Sequence, residues 1–413
     1  MSQVTKPQSS ELGGEKNPIR IHGYPRLLSG FFVATLALWV HRLAMSFFVW
    51  QITQSAFWTT AVAAVQFIPS AIFGPFFGVI VDRIPLRRAI NLALGITCLG
   101  YALTALAYSY GVTIPWAYAL LAVWIGIGTA FYAPARLVLP AAVVPKSALP
   151  AAIALSATSF NLTRILGPFL GATLIAFFGV GTTLITALVI YASFFPISWS
   201  LNLASNGARR KTQGDSLWSE FTEGVDYIKS TPALLGFLVI AVMSSLFVRS
   251  MAELAPVLNG LKFDGAEFSL SLLTLAPAIG AIISGVLLGR LGGNFTRLRL
   301  VMILSVTLGP LTGWIAGVFN AFPIIFFALL GNGLLGSFAS VGSQTLIQTQ
   351  VRNELRARVM SIWASLALGS IALAAACYGA IIDWLGLTAT FSAIGCIGFF
   401  AGLALVFQER PKH

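Results

Sequence analysis

The fold class this sequence predicts is an all-α membrane protein, with twelve transmembrane helices in two pseudo-symmetric bundles of six. Three observations predict it. Apolar runs recur at the length a helix needs to cross a bilayer core, about 20 residues. Basic residues collect in every second connection between those runs. Two short motifs recur at nearly one offset: Gly78 to Gly285 is 207 residues and Gly171 to Gly379 is 208.

Composition fixes the class. The chain is 57% hydrophobic and only 9% charged, with a mean hydropathy of +0.87. A soluble domain has too little interior to hide that much apolar surface. The runs are long and apolar without alternation, which favours helices over barrel strands. Taken in order they give spans one to six at 27–50, 57–81, 88–109, 114–133, 150–178 and 181–204. Spans seven to twelve follow at 232–253, 266–289, 297–318, 321–346, 358–384 and 387–407. Residues 1–26 form a polar tail, 27–204 and 232–407 the two bundles, 205–231 a linker, and 408–413 a second tail. The first run is longer than a signal-peptide core and lacks a small-residue cleavage site, so it is expected to remain as a membrane anchor.

The net charge of +12 would suit a nucleic-acid partner if it were concentrated, but it is distributed. With the N-terminus in the cytoplasm, cytoplasmic segments hold 21 of the 25 lysines and arginines. The external turns hold Lys262 alone, and Arg42, Arg164 and Arg249 fall within spans. The positive-inside rule then predicts both termini in the cytoplasm and a multi-pass protein of the inner (plasma) membrane, in contact with lipid and not with nucleic acid. Within the linker, Trp218, Phe221, Val225 and Ile228 are spaced 3, 4 and 3 apart. They form one apolar face, with Glu220, Glu223, Asp226 and Lys229 around it, which predicts an amphipathic helix at the membrane surface.

The connection between spans two and three carries the most distinctive pattern, Gly78-Val-Ile-Val-Asp82-Arg83 followed by Arg87-Arg88. Gly78 lets a neighbouring helix approach, and Asp82 can pair with an arginine or face a helix N-terminus. The second bundle has Gly289 where the first has Asp82, so the charged turn is asymmetric. This pattern resembles the loop between helices two and three of the major facilitator superfamily, although this chain has Pro85 and Leu86 where a glycine is usual there. Three further stretches resemble its enterobactin and macrolide exporter branch, the transmembrane secretion effector type. They are Phe131-Tyr132-Ala133-Pro134-Ala135-Arg136, Glu223-Gly-Val-Asp-Tyr227-Ile228, and Gln344-Thr-Leu-Ile-Gln348 with Glu354-Leu-Arg-Ala-Arg358. The resemblance implies alternating access about a central site, with proton exchange as the usual drive. It also implies a conformational gate of Gly78, Asp82, Arg83, Arg87 and Arg88, with Asp82 near Arg83 or the start of span eleven at Arg358. No carboxylate lies deep in the first six spans, so the family's usual coupling residue has no counterpart there.

Span five holds Arg164-Ile-Leu-Gly167-Pro168-Phe-Leu-Gly171. Gly167 and Gly171 form a close-packing GxxxG, and Pro168 removes one backbone donor. By resemblance to the superfamily's exporters, this face packs on the other half. Asn161 shares a face with Arg164. An arginine at mid-depth costs about 2.5–3.5 kcal/mol, so it must face a partner or a cavity. The other intramembrane polar groups are His41 and Arg42 in span one, Gln66 in span two, Arg249 and Glu253 one turn apart in span seven, and Asn332 in span ten. The spacing predicts that Arg249 takes Glu253, which leaves Arg42 and Arg164 for an anionic cargo. His41 reads more simply as a group satisfied by a neighbouring carbonyl, Gln66 as interhelical glue, and Asp383 as an interface residue.

The chain has no glycine-rich loop followed by lysine, so ATP drive is not expected. Its three histidines, His22, His41 and His413, offer neither a metal motif nor a base for a nucleophile. Cys98, Cys377 and Cys396 sit in apolar runs and read as packing residues. No cofactor, metal or enzymatic activity is expected. The reading is a monomeric secondary exporter, of the proton antiporter type, for a small organic molecule such as an anionic siderophore-like compound or a drug. A lipid or lysolipid flippase on the same fold is the alternative.

Overall fold

A computed structural model describes residues 17–145, 147–201, 217–291, 295–352 and 355–408. Eleven of its helices are long and apolar enough to cross a membrane. One of these, running from Ala151 to Ser200, is 50 residues long, too long for a single crossing. Its backbone leaves the helical region at Gly179 (φ 76°, ψ 169°), a conformation that only glycine adopts freely, so it divides into spans five and six. The count is then twelve, as the hydropathy predicts.

Several boundaries differ from the expected ones. Span one covers Tyr24–Thr53, and span four covers Pro115–Val143. The latter runs ten residues past the expected 133, through Pro134 and Pro140. Arg136 is therefore part of span four and not of a cytoplasmic loop. Its guanidinium lies 4.2 Å from the ring centroid of Phe160 and 5.6 Å from that of Phe31, which offsets part of the cost of its burial.

Two spans are broken. Span two is Ala56–Val65 followed by Ile68–Arg83. The missing N–H of Pro69 and a tight turn from Phe67 to the carbonyl of Ala64 interrupt its ladder. Span seven is Pro232–Phe247, a 3-10 stretch Arg249–Leu254, and Ala255–Lys262. Such a mid-helix 3-10 turn is a common place for a hinge.

The predicted amphipathic helix forms at Leu217–Ser230. Ile228 is buried in a cluster with Leu234, Phe237 and Ile362, and Val225 packs on it. At Gly224 an added Cβ would come within 3.0 Å of Ile362. The helix thus lies on the start of span eleven, and Glu223 ion-pairs with Arg358 there. Arg209, Arg210 and Lys211, residues 1–16 and 409–413, and the side chains of Trp218, Phe221 and Asp82 lie outside the described residues.

Candidate functional site

Two polar residues of the spans, Arg42 and Glu253, meet across the seam between the first six and the last six spans. For reference, the basic side is the one that carries Arg83, Arg87, Arg88 and Arg290. The far side is the opposite one.

Arg42 organises the seam. Its Nη2 lies 3.0 Å from Glu253 Oε2 and donates to the carbonyl of Ala63 at 2.8 Å. That carbonyl is released by the break in span two, so one guanidinium ties span one, the span-two break and the 3-10 stretch of span seven together. The ring of Phe67 lies 3.8 Å below the guanidinium. Both partners are shielded, Arg42 at 7% side-chain exposure and Glu253 at 18%. The expected Arg249–Glu253 pair is therefore replaced by Arg42–Glu253. A 3-10 stretch advances about 120° per residue, so residues four apart do not stack as they would on an α-helix.

Further contacts close the far side across the same seam. The carboxylate of Asp383 in span eleven caps the start of span two, accepting from Ala56 N at 2.7 Å, Phe57 N at 3.1 Å and Ser55 Oγ at 2.6 Å. One turn away, a Cβ at Gly379 would lie 2.6 Å from the carbonyl of Ala56 and would overlap Thr60 Oγ1. Gly260 presses on the indole of Trp50. Beyond this closure lies an outer cleft of about 760 Å³, lined in part by Trp50, Lys262, Asn320 and Asp383. Asp383 is thus a cap in the closure as well as an interface residue. The signal that could have identified its role is Ser55, an N-cap residue with two exposed donors behind it.

Arg164 and Arg249 are half-buried. Among the described residues neither guanidinium has a hydrogen-bond or ion-pair partner, and neither belongs to the sealed, unsatisfied atoms of the interior. The aliphatic stem of Arg249 runs along span ten, 3.3 Å from where a Cβ of Gly336 would be.

The remaining expected site residues lie elsewhere. His41 stacks on Tyr101 inside the first six spans, with ring centroids 3.8 Å apart and planes 1° apart. Its Nε2 has no partner, so it is not satisfied by a carbonyl. Tyr101 continues into Tyr191, an aromatic column that only tertiary packing reveals. Gln66 is buried against Met45 at the span-two break. Asn332 donates to Thr312 at 3.1 Å and joins spans nine and ten, and Asn161 bonds back to the Ala157 carbonyl. Gly167 and Gly171 pack on Trp39 and Val40 of span one, within their own half and not on the other. Pro168 lies between them inside the span-five helix. On the basic side Arg83 and Arg88 are exposed, and Arg87 donates to the Leu201 carbonyl at 2.5 Å. Arg358 ion-pairs with Glu223 of the linker helix.

A family model described as transmembrane secretion effector matches residues 15–412. The chain belongs to that family, within the major facilitator superfamily. Macrolide efflux protein A of Streptococcus pyogenes is 25% identical over 342 residues, covering 82% of this chain and 84% of that one. The enterobactin exporter EntS of Shigella boydii is 27% identical over 356 residues, covering 81% of each. A solved structure of a POT family transporter in complex with 5-aminolevulinic acid superposes with a TM-score of 0.71 at 14% identity, covering 94% of this chain and 96% of that one. The chain is accordingly a multi-pass membrane transporter.

Proposed function

We propose that this transporter is a proton-coupled exporter of a small organic acid or drug. It works as a monomer, with its basic side and both termini in the cytoplasm of a cell bounded by its inner (plasma) membrane. The observation that carries the reading is the Arg42–Glu253 pair, which joins the two sets of six spans at the closed far side. A cross-half ion pair on one side of the membrane is what alternating access requires, because it must break before the opposite side can release cargo. The efflux names of its relatives support the outward direction. The distribution of arginine between the two sides supports the orientation. Glu253, paired with Arg42, is a carboxylate on the seam that proton exchange would act on. At the basic side, Asp82 with Gly78 and the neighbouring arginines would form the second gate.

The test is transport in everted vesicles from cells that make the chain, with a catecholate, a macrolide and a labelled lysolipid as separate probes. Inward accumulation of one soluble probe, abolished by a protonophore, is expected. Accumulation that survives collapse of the proton gradient would remove the coupling. Movement of the lysolipid alone would replace the exporter by a flippase.

A further inference from the structure

We infer that Arg136 is a docking point for an acid group, a single carboxylate carried on a flat aromatic body, within the first six spans. That the bound acid is then exported rests on the exporter reading above; the binding itself does not.

Three spans build the site. Arg136 comes from span four, Phe31 from span one and Phe160 from span five. Arg136 stands seven residues (143 − 136) before the end of its helix at Val143, which at 1.5 Å per residue is about 10 Å inside the basic end. A helical side chain leans back toward the N-terminus of its helix, here away from that end, so the guanidinium lies deeper still. It is 4.2 Å from the ring centroid of Phe160 and 5.6 Å from that of Phe31. The two centroids are 6.4 Å apart, with planes 23° from parallel. A guanidinium clamped between the rings would hold them apart by nearly both of its distances together. At 6.4 Å the rings instead form one wall, and the guanidinium rests against it with its other side free of them.

That wall offsets the positive charge but takes up none of the N–H donors, which lie in the guanidinium plane. Among the described residues Arg136 has neither a hydrogen bond nor an ion pair. Its nitrogens do not belong to the sealed, unsatisfied atoms of the interior, so each borders open space. Arg42 differs on both points, because Glu253 and the Ala63 carbonyl hold it and its Nε is sealed. Span four makes no extended contact with the last six spans, so Arg136 takes no part in the far-side closure. A half-buried guanidinium with idle donors is costly to keep, and a carboxylate occupies two of those donors at once along its edge. The wall selects what carries the carboxylate. Phe160 is only half-buried, so part of its ring stays open beside the guanidinium, and a flat aromatic body can stack there. The site therefore favours an arenecarboxylate over a neutral amide, a cation or a short aliphatic acid.

The test uses purified full-length protein in nanodiscs, with naphthoate, neutral naphthamide and acetate as probes in calorimetric titration. Naphthoate should bind at least tenfold more tightly than either of the others. Arg136→Gln should weaken naphthoate binding at least tenfold and erase its preference over naphthamide. A merely structural arginine would leave that preference intact. Arg136→Lys, which keeps the charge and loses the planar fork, should fall between Arg136→Gln and wild type. Phe160→Leu should weaken naphthoate several-fold and leave acetate unchanged. Melting temperature verifies that each variant is folded, and where Arg136→Gln does not fold, Arg136→Lys decides. Equal binding of naphthoate and naphthamide by the wild type, or wild-type naphthoate affinity in the deciding arginine variant, would overturn the site. Unchanged naphthoate affinity in Phe160→Leu would overturn the role of the wall. Arginine-dependent binding without accumulation of naphthoate in everted vesicles would sink the exporter reading alone. Accumulation that is indifferent to Arg136 would sink the site alone.

Discussion

Spans one and seven occupy equivalent positions in the two repeats, yet they are built differently. Span one is a continuous helix from Tyr24 to Thr53. Span seven is interrupted at Val248 and continues as a 3-10 turn. The unbroken helix presents Arg42 as a fixed post, held by the Ala63 carbonyl. The broken one presents Arg249 and Glu253 on a stretch whose backbone can rotate. A second pair of equivalents differs in the same way. A Cβ added at Gly171 would lie 3.2 Å from Val40, inside its own half, whereas one added at its counterpart Gly379 would meet Ala56 and Thr60 across the seam. In each comparison the first repeat supplies internal rigidity and the second supplies the contact that must break.

Breaking the fixed post should have the largest effect. Arg42→Ala leaves Glu253 and the Ala63 carbonyl unpaired in a shielded setting, a loss of about 3–5 kcal/mol for a well-buried pair and less for the 18%-exposed carboxylate here. A lowered melting temperature and loss of transport are expected. The double variant Arg42→Ala/Glu253→Ala should be less unstable than the sum of the two single ones, and strict additivity would remove the pair. Next come the two glycines. Gly379→Ala forces a Cβ into Thr60, overpacking of about 1–3 kcal/mol that acts only on the closed far side. A cysteine at Thr60, fully buried in the closed state, should then react faster with an impermeant thiol reagent. Gly171→Ala should lower the melting temperature and leave that labelling rate unchanged. Equal responses from the two glycines would erase the comparison.

Smaller still is the cap. Asp383→Asn keeps one acceptor and loses the charge at the start of span two, worth about 0.5–2 kcal/mol. Labelling at Thr60→Cys should rise several-fold, without a change in cysteine reactivity on the basic side at Arg87→Cys. The smallest effect is expected at Glu223→Ala. Its partner Arg358 is 27% exposed and Glu223 itself 58%, a surface pair worth about 0–1 kcal/mol. A large loss of transport there would mean that the linker helix takes part in gating.

How much of this could be read from sequence depended on the range of the forces involved. Hydropathy is a local property, and it gave the twelve spans and the seam's inventory of Arg42, Arg164, Arg249 and Glu253. The hydropathy runs unbroken through span two, and the residue that marks its break, Pro69, leaves no trace in that pattern. The break in span seven had no such marker, because Phe247-Val248-Arg249 contains neither proline nor glycine. Pro256, just inside the following helix, was the one available hint. Partner choice was the hardest part. Glu253 lies four residues from Arg249 and 211 from Arg42, and sequence spacing favours the neighbour. The 3-10 geometry and the packing of span one reversed that preference. The same holds for His41, whose ring stack on Tyr101 depends on a helix crossing that no local pattern encodes.

The single-residue corner at Gly179 has a mechanical consequence. Most neighbouring spans are joined by several residues that can absorb a change of angle, but spans five and six share one non-helical residue. The facing ends of these two helices are therefore pinned at a fixed separation, while the soft φ and ψ of the glycine leave each arm free to change its angle to the other. Lengthening the corner by two or three glycines would loosen that pin and let the two ends slide past each other.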